Sequence, residues 1–211
     1  TRQQHRLRAE GSLKIDGTAQ TAASISITIG GVAVAVAVSA NQSAAEAVEK
    51  LAAAVNAAAL PVSATAEQGS LKLTARSKGA IGNEISLACD MGTSGFSGSI
   101  TAMTNGAQNA DIAAALDKVA GKHYHIIVLP FSDAANAKAL SQHITQVSNA
   151  IEQRGCIGVI AQRGTMPQGT ALTAQLNDGR INCAWYKGAA EACGIIAAGY
   201  AAVLAFEEDP A

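Results

Sequence analysis

The sequence predicts two architectures in series: a β-rich domain with one helix over 8–106, and a parallel α/β domain over 107–211. Two patterns predict this. Up to Gly106, apolar residues recur with a period of two among serine, threonine and glycine, the mark of half-buried strands. From Asp111 onward, helical stripes alternate with short apolar runs, as in strands joined by helical crossovers. Between them, Thr104-Asn105-Gly106-Ala107-Gln108-Asn109 is rich in turn formers and marks the boundary.

In the first region, Leu13 and Ile15 alternate with polar neighbours and end at the turn Asp16-Gly17. Ile25, Ile27 and Ile29 alternate next, Gly30-Gly31 follows, and Val32, Val34, Val36 and Val38 resume the pattern. Two β-branched runs separated by a glycine pair predict a tight hairpin, whose turn needs positive φ. Alanine on the other side of the second arm predicts cover on both faces. Ser43 and Glu46 form a capping box for a helix carrying Val48, Leu51 and Val55 on one face, closed by Pro61. A second hairpin is predicted from Val62–Ala66 and Leu71–Ala75, turning at Gln68-Gly69, with further strands at Ile85–Cys89 and Ser99–Met103. The sum is one sheet with a helix laid against it.

The second region opens with a short helix, Asp111–Val119. Tyr124–Leu129 is a continuous apolar run of the kind a buried parallel strand shows. Asp133 caps a helix in which Leu140, Ile144, Val147 and Ile151 form a stripe, ended by Gly155. Cys156–Ala161 and Ile181–Tyr186 read as two more buried strands, separated by a short helix at Thr170–Leu176. A last helix runs from Ala189 to Phe206.

Composition narrows the function. Of 211 residues, 49% are hydrophobic, so a core can form, and 3% are aromatic, so packing relies on small aliphatic contacts. A net charge of −1 gives no general attraction to nucleic acid or an anionic membrane. Arg2, His5, Arg6 and Arg8 read as a solvated arm. Cys89, Cys156, Cys183 and Cys193 lack a C-x-x-C spacing and read as buried free thiols, which suits a reducing compartment. The opening residues lack the apolar core of a signal peptide, and Cys193–Phe206 is too short and glycine-broken to span a bilayer. A first residue of Thr1 predicts processing or a piece of a longer chain.

Chemistry is sparse. His123-x-His125 would place two rings on one face of a strand, as two metal ligands require, with Asp133, His143 or Asp90 as a third; the plainer reading leaves both at a strand entrance with their tips in water. Ser94 sits in Gly92-Thr93-Ser94-Gly95, read as a flexible loop without the strand–helix elbow of a nucleophile. Gly155-Cys156-Ile157-Gly158 opens a strand, the wrong place for a dinucleotide loop. Gly164–Gly169 follows a strand, but it lacks a Walker lysine, and Pro167 removes an amide donor. It reads as an ordinary loop, with Gln162-Arg163 able to reach an anion. Trp185-Tyr186 reads as a packing cap on the third strand. The strand ends offer Pro130–Asp133, Gln162–Gly164 and Lys187-Gly188, with no acid–base pair among them. No residue is assigned a catalytic, cofactor-binding or metal-binding role, and no cofactor is expected.

Several strings carry a family resemblance. They are Gly30-Gly31 after an isoleucine strand, Ala44-Ala45-Glu46 at a helix start, and Leu73–Gly79 leading into Gly82-Asn83-Glu84-Ile85. They continue with Asn109-x-Asp111–Leu116, Tyr124–Pro130, Asp133-Ala134-Ala135, and Ala201-Ala202-Val203 running on to Asp209-Pro210-Ala211. Together these make the chain similar to the contractile tail sheath proteins of Mu-like phages and prophages. The resemblance implies a non-enzymatic virion subunit, with an inserted β-rich domain ahead of a partial sheath core of subtilisin-like fold. Its implied partners are other sheath subunits in hexameric rings, the tail tube and the baseplate, with no nucleic acid or membrane. It implies a place in the virion tail, and in the host bacterial cytoplasm during assembly. The family chain is longer at both ends, so this piece is expected to be soluble and weakly associating, down to a monomer. Two other readings stay open: an adhesin-like surface-binding module using the β-rich half, and an enzyme using the α/β half.

Overall fold

Local signals set the first elements in the computed structural model, which describes residues 6–207. Gly30 and Gly31 both take positive φ (56° and 85°), the conformation a two-residue hairpin turn demands. They join β2 (Ala23–Ile29) to β3 (Val32–Val38) in unbroken antiparallel register. Gln68 and Gly69 do the same between β4 (Val62–Glu67) and β5 (Ser70–Lys78). Helix α1 (Ala44–Ala57) starts at the capping box: Glu46 N–H donates to Ser43 Oγ at 3.3 Å, and Ser43 N–H to Glu46 Oε2 at 2.9 Å. Those hydrogen bonds hold the Glu46 carboxyl below the usual carboxylate range.

The chain divides into two units, Thr1–Asn109 and Ala110–Ala211. The first holds two sheets where one was expected. β1 (Arg8–Asp16) pairs with β5 and with β7 (Ser97–Thr104), giving the order β4-β5-β1-β7. β2 pairs instead with β3 and with β6 (Leu87–Asp90), giving β3-β2-β6. The break follows β1, where Gly17 turns at φ 101° and the chain bonds to the α1 approach through Ala19 N–H and Gln42 O. Ile85 is not in a strand; it caps a short 3-10 helix, Ala80–Glu84. α1 packs against β1, β3, β4 and β5. Val48, Leu51 and Val55 join Leu13, Ile15, Ile25, Ile27, Ile29, Leu71 and Leu73 in one core. β3 is not covered on both faces: as an edge strand it leaves Ala33, Ala35 and Ala37 exposed.

The second unit is a parallel sheet in the order β10-β9-β8: β8 (Ile126–Val128), β9 (Ile157–Arg163) and β10 (Ile181–Tyr186). Alternation along β9 explains its continuous apolar run. Ile160 packs with α3 (Ala134–Val147) and α4 (Met166–Leu176), while Val159 and Ala161 pack on α5 (Cys193–Phe206). Gly158 permits the closest approach: a Cβ there would lie 2.5 Å from Ile181 Cδ1 and 2.8 Å from Ile144 Cδ1. Helix α2 (Ala113–Val119) packs against α3.

Several boundaries differ from expectation. β8 is shorter than Tyr124–Leu129, although Ile157 N–H to His125 O and Leu129 N–H to Val159 O extend its pairing by one residue at each end. α3 ends at Val147, before Gly155, because Asn149 Oδ1 accepts from the N–H groups of Ile151 and Glu152 and turns the chain. Ile151 is therefore 91% exposed and outside the stripe. α4 begins at Met166, capped by Thr165 and Gln168, so most of Gly164–Gly169 is a helix start and not a loop. α5 begins at Cys193 and not Ala189, because Arg163 and Tyr186 hold the Glu191 carbonyl in the preceding loop.

Leu51 is fully buried at the centre of the first unit. Leu51→Ala should lower the unfolding free energy by about 2–5 kcal/mol, and Ser43→Ala by about 1 kcal/mol, both read from urea denaturation. His143, on the buried side of α3, has its pKa lowered mainly by burial, with Arg154 adding to the effect. The unfolded chain thus binds more protons, so His143 favours folding above its unfolded pKa, and that contribution falls away as pH drops through the depressed folded value. Melting temperature should fall on acidification below about pH 6.5, and His143→Gln should flatten that part of the profile.

Candidate functional site

A parallel sheet gathers functional groups at the carboxyl ends of its strands. In the second unit those ends hold polar groups, several of them engaged in fixing a loop. After β8, Asp133 Oδ2 accepts from Asn136 N–H at 3.0 Å and caps α3. After β9, Thr165 N–H donates to Gln168 Oε1 at 2.8 Å. Arg163 donates to the Glu191 carbonyl, and its guanidinium lies 5.8 Å from the Tyr186 ring centroid, a cation–π distance. On β10, Trp185 Nε1 donates to Gly164 O at 2.9 Å, and Tyr186 Oη donates to Glu191 O at 3.1 Å. Burial, then the contact with Cys193 Sγ at 3.4 Å, pushes the Tyr186 phenol up to about 12. A phenol held neutral in this way is a poor proton acceptor near neutrality.

The other candidates disperse. The His123 and His125 rings lie side by side, tilted by 39° with centroids 4.4 Å apart, both residues exposed, and His123 Nε2 lies 3.0 Å from Gly155 O. Of the expected third ligands, Asp133 caps α3, His143 is buried on α3, and Asp90 belongs to the first unit, where its carboxylate accepts from Gly92 N–H. Among the described residues no three metal-ligating side chains converge. Ser94 overturns its reading as part of a flexible loop. It is fully buried, donating to Met91 O at 2.7 Å and accepting from Phe96 N–H at 3.2 Å, and so pins the turn before β7. Cys156 and Cys193 are buried and Cys89 and Cys183 half-buried; burial raises the pKa of Cys89, Cys156 and Cys183, which disfavours the reactive thiolate. Of the basic cluster, Arg8 lies in β1 and bonds the carbonyls of Ala75 and Arg76, so it is no part of a free arm. Arg2 and His5 lie outside the described residues, as do Asp209-Pro210-Ala211.

What remains prominent is a surface. α5 carries no charged residue from Cys193 to Phe206. Its inner side buries Cys193, Ala197 and Ala201, while Ile195, Tyr200, Val203 and Phe206 are exposed on the remainder. A helix without a polar stripe is normally covered all round. The signal for this outward apolar side lay in the charge-free composition of 193–206, which was read only as part of a helix from Ala189 to Phe206. In the first unit a shallow depression of about 540 Å³ is lined by Ser39–Gln42, Glu46, Glu49 and Lys50. Its charged groups are those of the helix start, with Lys50 Nζ donating to Gln42 Oε1 at 3.1 Å.

Residues 105–211 match the family model of the phage tail sheath protein central domain. The chain is also 32% identical, over 206 residues, to the Mu-like prophage FluMu tail sheath protein of Haemophilus influenzae. That alignment covers 94% of the chain and 42% of the relative, so the chain spans less than half of that protein's length. With half of its residues inside the matched domain and the resemblance extending across both units, the chain belongs to the phage tail sheath protein family.

Proposed function

We propose that this chain is part of a structural, non-enzymatic subunit of a contractile phage or prophage tail sheath, which polymerises around the tail tube and drives it through the host envelope on contraction. Family membership carries the reading. The second unit serves as part of the sheath core, with a fold akin to subtilisin but used as a scaffold. The first unit serves as an inserted domain, and the family match beginning at residue 105 supports that division. Its partners are other sheath subunits, in hexameric rings, together with the tube and the baseplate. It resides in the virion tail, after assembly in the host cytoplasm.

The physical features suit that role. Contraction exchanges one set of subunit contacts for another, which favours several modest surfaces over one large adhesive patch. The apolar outer side of α5 is such a surface, and at the strand ends Arg163 and Trp185 are committed to holding loops. An adhesin-like reading would call for exposed aromatics on the first unit's sheets; Phe96 is buried there.

Immunogold electron microscopy of tail particles from the source cells, using an antibody raised against this chain, tests the proposal. Gold along the whole shaft of contractile tails is the expected result. Label confined to heads, tail tips or cell membranes would contradict it.

A further inference from the structure

We propose that β3 is a self-pairing strand: its open edge takes the β3 of a second copy of this chain, antiparallel, about a two-fold axis through Ala35. The hydrogen-bond pattern fixes which groups are on offer. Gly30 N–H donates to Ser86 O at 2.9 Å, which turns the backbone groups of residues 26, 28 and 30 toward β6. The intervening residues Ile25, Ile27 and Ile29 therefore bond β3, through their partners Val36, Val34 and Val32. By the same alternation, Ala33, Ala35 and Ala37 turn their N–H and C=O groups outward. Lys50 Nζ donates to Ala37 O at 3.2 Å, as this geometry requires. No described residue bonds the outward groups of Ala33 or Ala35.

The strand carries none of the features that usually protect an edge. Val32–Val38 contains no proline and no charge, and its register with β2 has no bulge. Lys50 stands at the Ala37 end of each strand, so a two-fold pair carries it at both ends, where the Ala37 carbonyl, with two lone pairs, must accept from Lys50 and from the facing Ala33 N–H together. The occupant follows from the strand's own symmetry. The sequence Val-Ala-Val-Ala-Val-Ala-Val reads the same in both directions about Ala35. An antiparallel copy then sets Ala35 opposite Ala35 and Ala33 opposite Ala37. On the other face Val34 meets Val36, both of them half-buried in the single chain. Every outward donor meets an acceptor, and valine meets valine across the join. From Ala23 to Val38 there is no charge to oppose this pairing. The inference concerns the first unit alone and stands independently of the sheath reading: it needs neither a tube nor a ring.

Charge placed at the two-fold axis tests it. Ala35 is exposed, so Ala35→Lys and Ala35→Glu leave the core untouched, and each sets like charges directly opposite in the pair. In sedimentation velocity across a concentration series, the unmodified chain should pass from monomer to dimer. Either variant alone should stay monomeric, and an equimolar mixture of the two should recover the dimer. Hydrogen exchange at the Ala33 and Ala35 amides of the unmodified chain should slow as concentration rises, a readout independent of how the variants fold. An unmodified chain that stays monomeric, variants that dimerise as it does (association through α5 or elsewhere), or a mixture that stays monomeric would each overturn the proposal.

Discussion

Small sheets leave a large share of their backbone at the edges, and each edge N–H and C=O must be bonded or hydrated. Much of the first unit's design answers that constraint. α1 contacts both the β4 and the β3 edge strands. At β4, Asn56 accepts from Ala64 N–H at 2.9 Å and donates to Ala64 O at 2.7 Å, reproducing with one side chain what a neighbouring strand would supply. At β3 the same helix offers only Lys50. The difference between a closed edge and a half-guarded one separates a finished surface from one open to a partner.

The second unit meets the same demand with its connections. Its loop carbonyls at Gly164 and Glu191 are satisfied by Trp185, Tyr186 and Arg163. Groups that would draw attention as candidate acids, bases or anion ligands are thus occupied in shaping the backbone. With aromatics at 3% of the chain, close packing falls to aliphatic side chains, leucine and isoleucine the largest of them. Gly158 lets Leu140 and Ile144 of α3 and Ile181 of β10 approach β9 closely. Such interiors leave the outer side of α5, with Ile195, Tyr200, Val203 and Phe206, exposed.

Much of this was legible in the sequence, because the signals were local. The Gly30-Gly31 turn, the Ser43–Glu46 box, the Asp133 cap and the parallel alternation of the second half each rest on residues a few positions apart. The misreadings in the sheets share a nonlocal cause, and those at Ser94 and Ile151 a local turn that the apolar pattern does not show. Nothing in the β1 or β2 pattern says that they belong to different sheets, since both bury one face equally well. Alternating valine and alanine in β3 reads as a two-sided strand until its position at an edge is known. Ser94 looks like a loop serine because its partners, Met91 and Phe96, matter only once the turn is closed. Ile151 continues a helical stripe on paper, but Asn149 bends the chain first. At the surface, composition marked α5 as apolar but could not tell an inward side from an outward one.

The central claim is that two internally fixed units spend their chemistry on surfaces that meet other subunits. Cryo-electron microscopy of the assembled tail, in its extended and contracted states, tests that most directly. The account predicts that each unit fits the shaft density once per sheath subunit as a separate body, with its own fold unchanged between states and the outer side of α5 buried against neighbouring polypeptide in at least one of them. Shaft density that accommodates neither unit, or that leaves α5 facing solvent in both states, would contradict it.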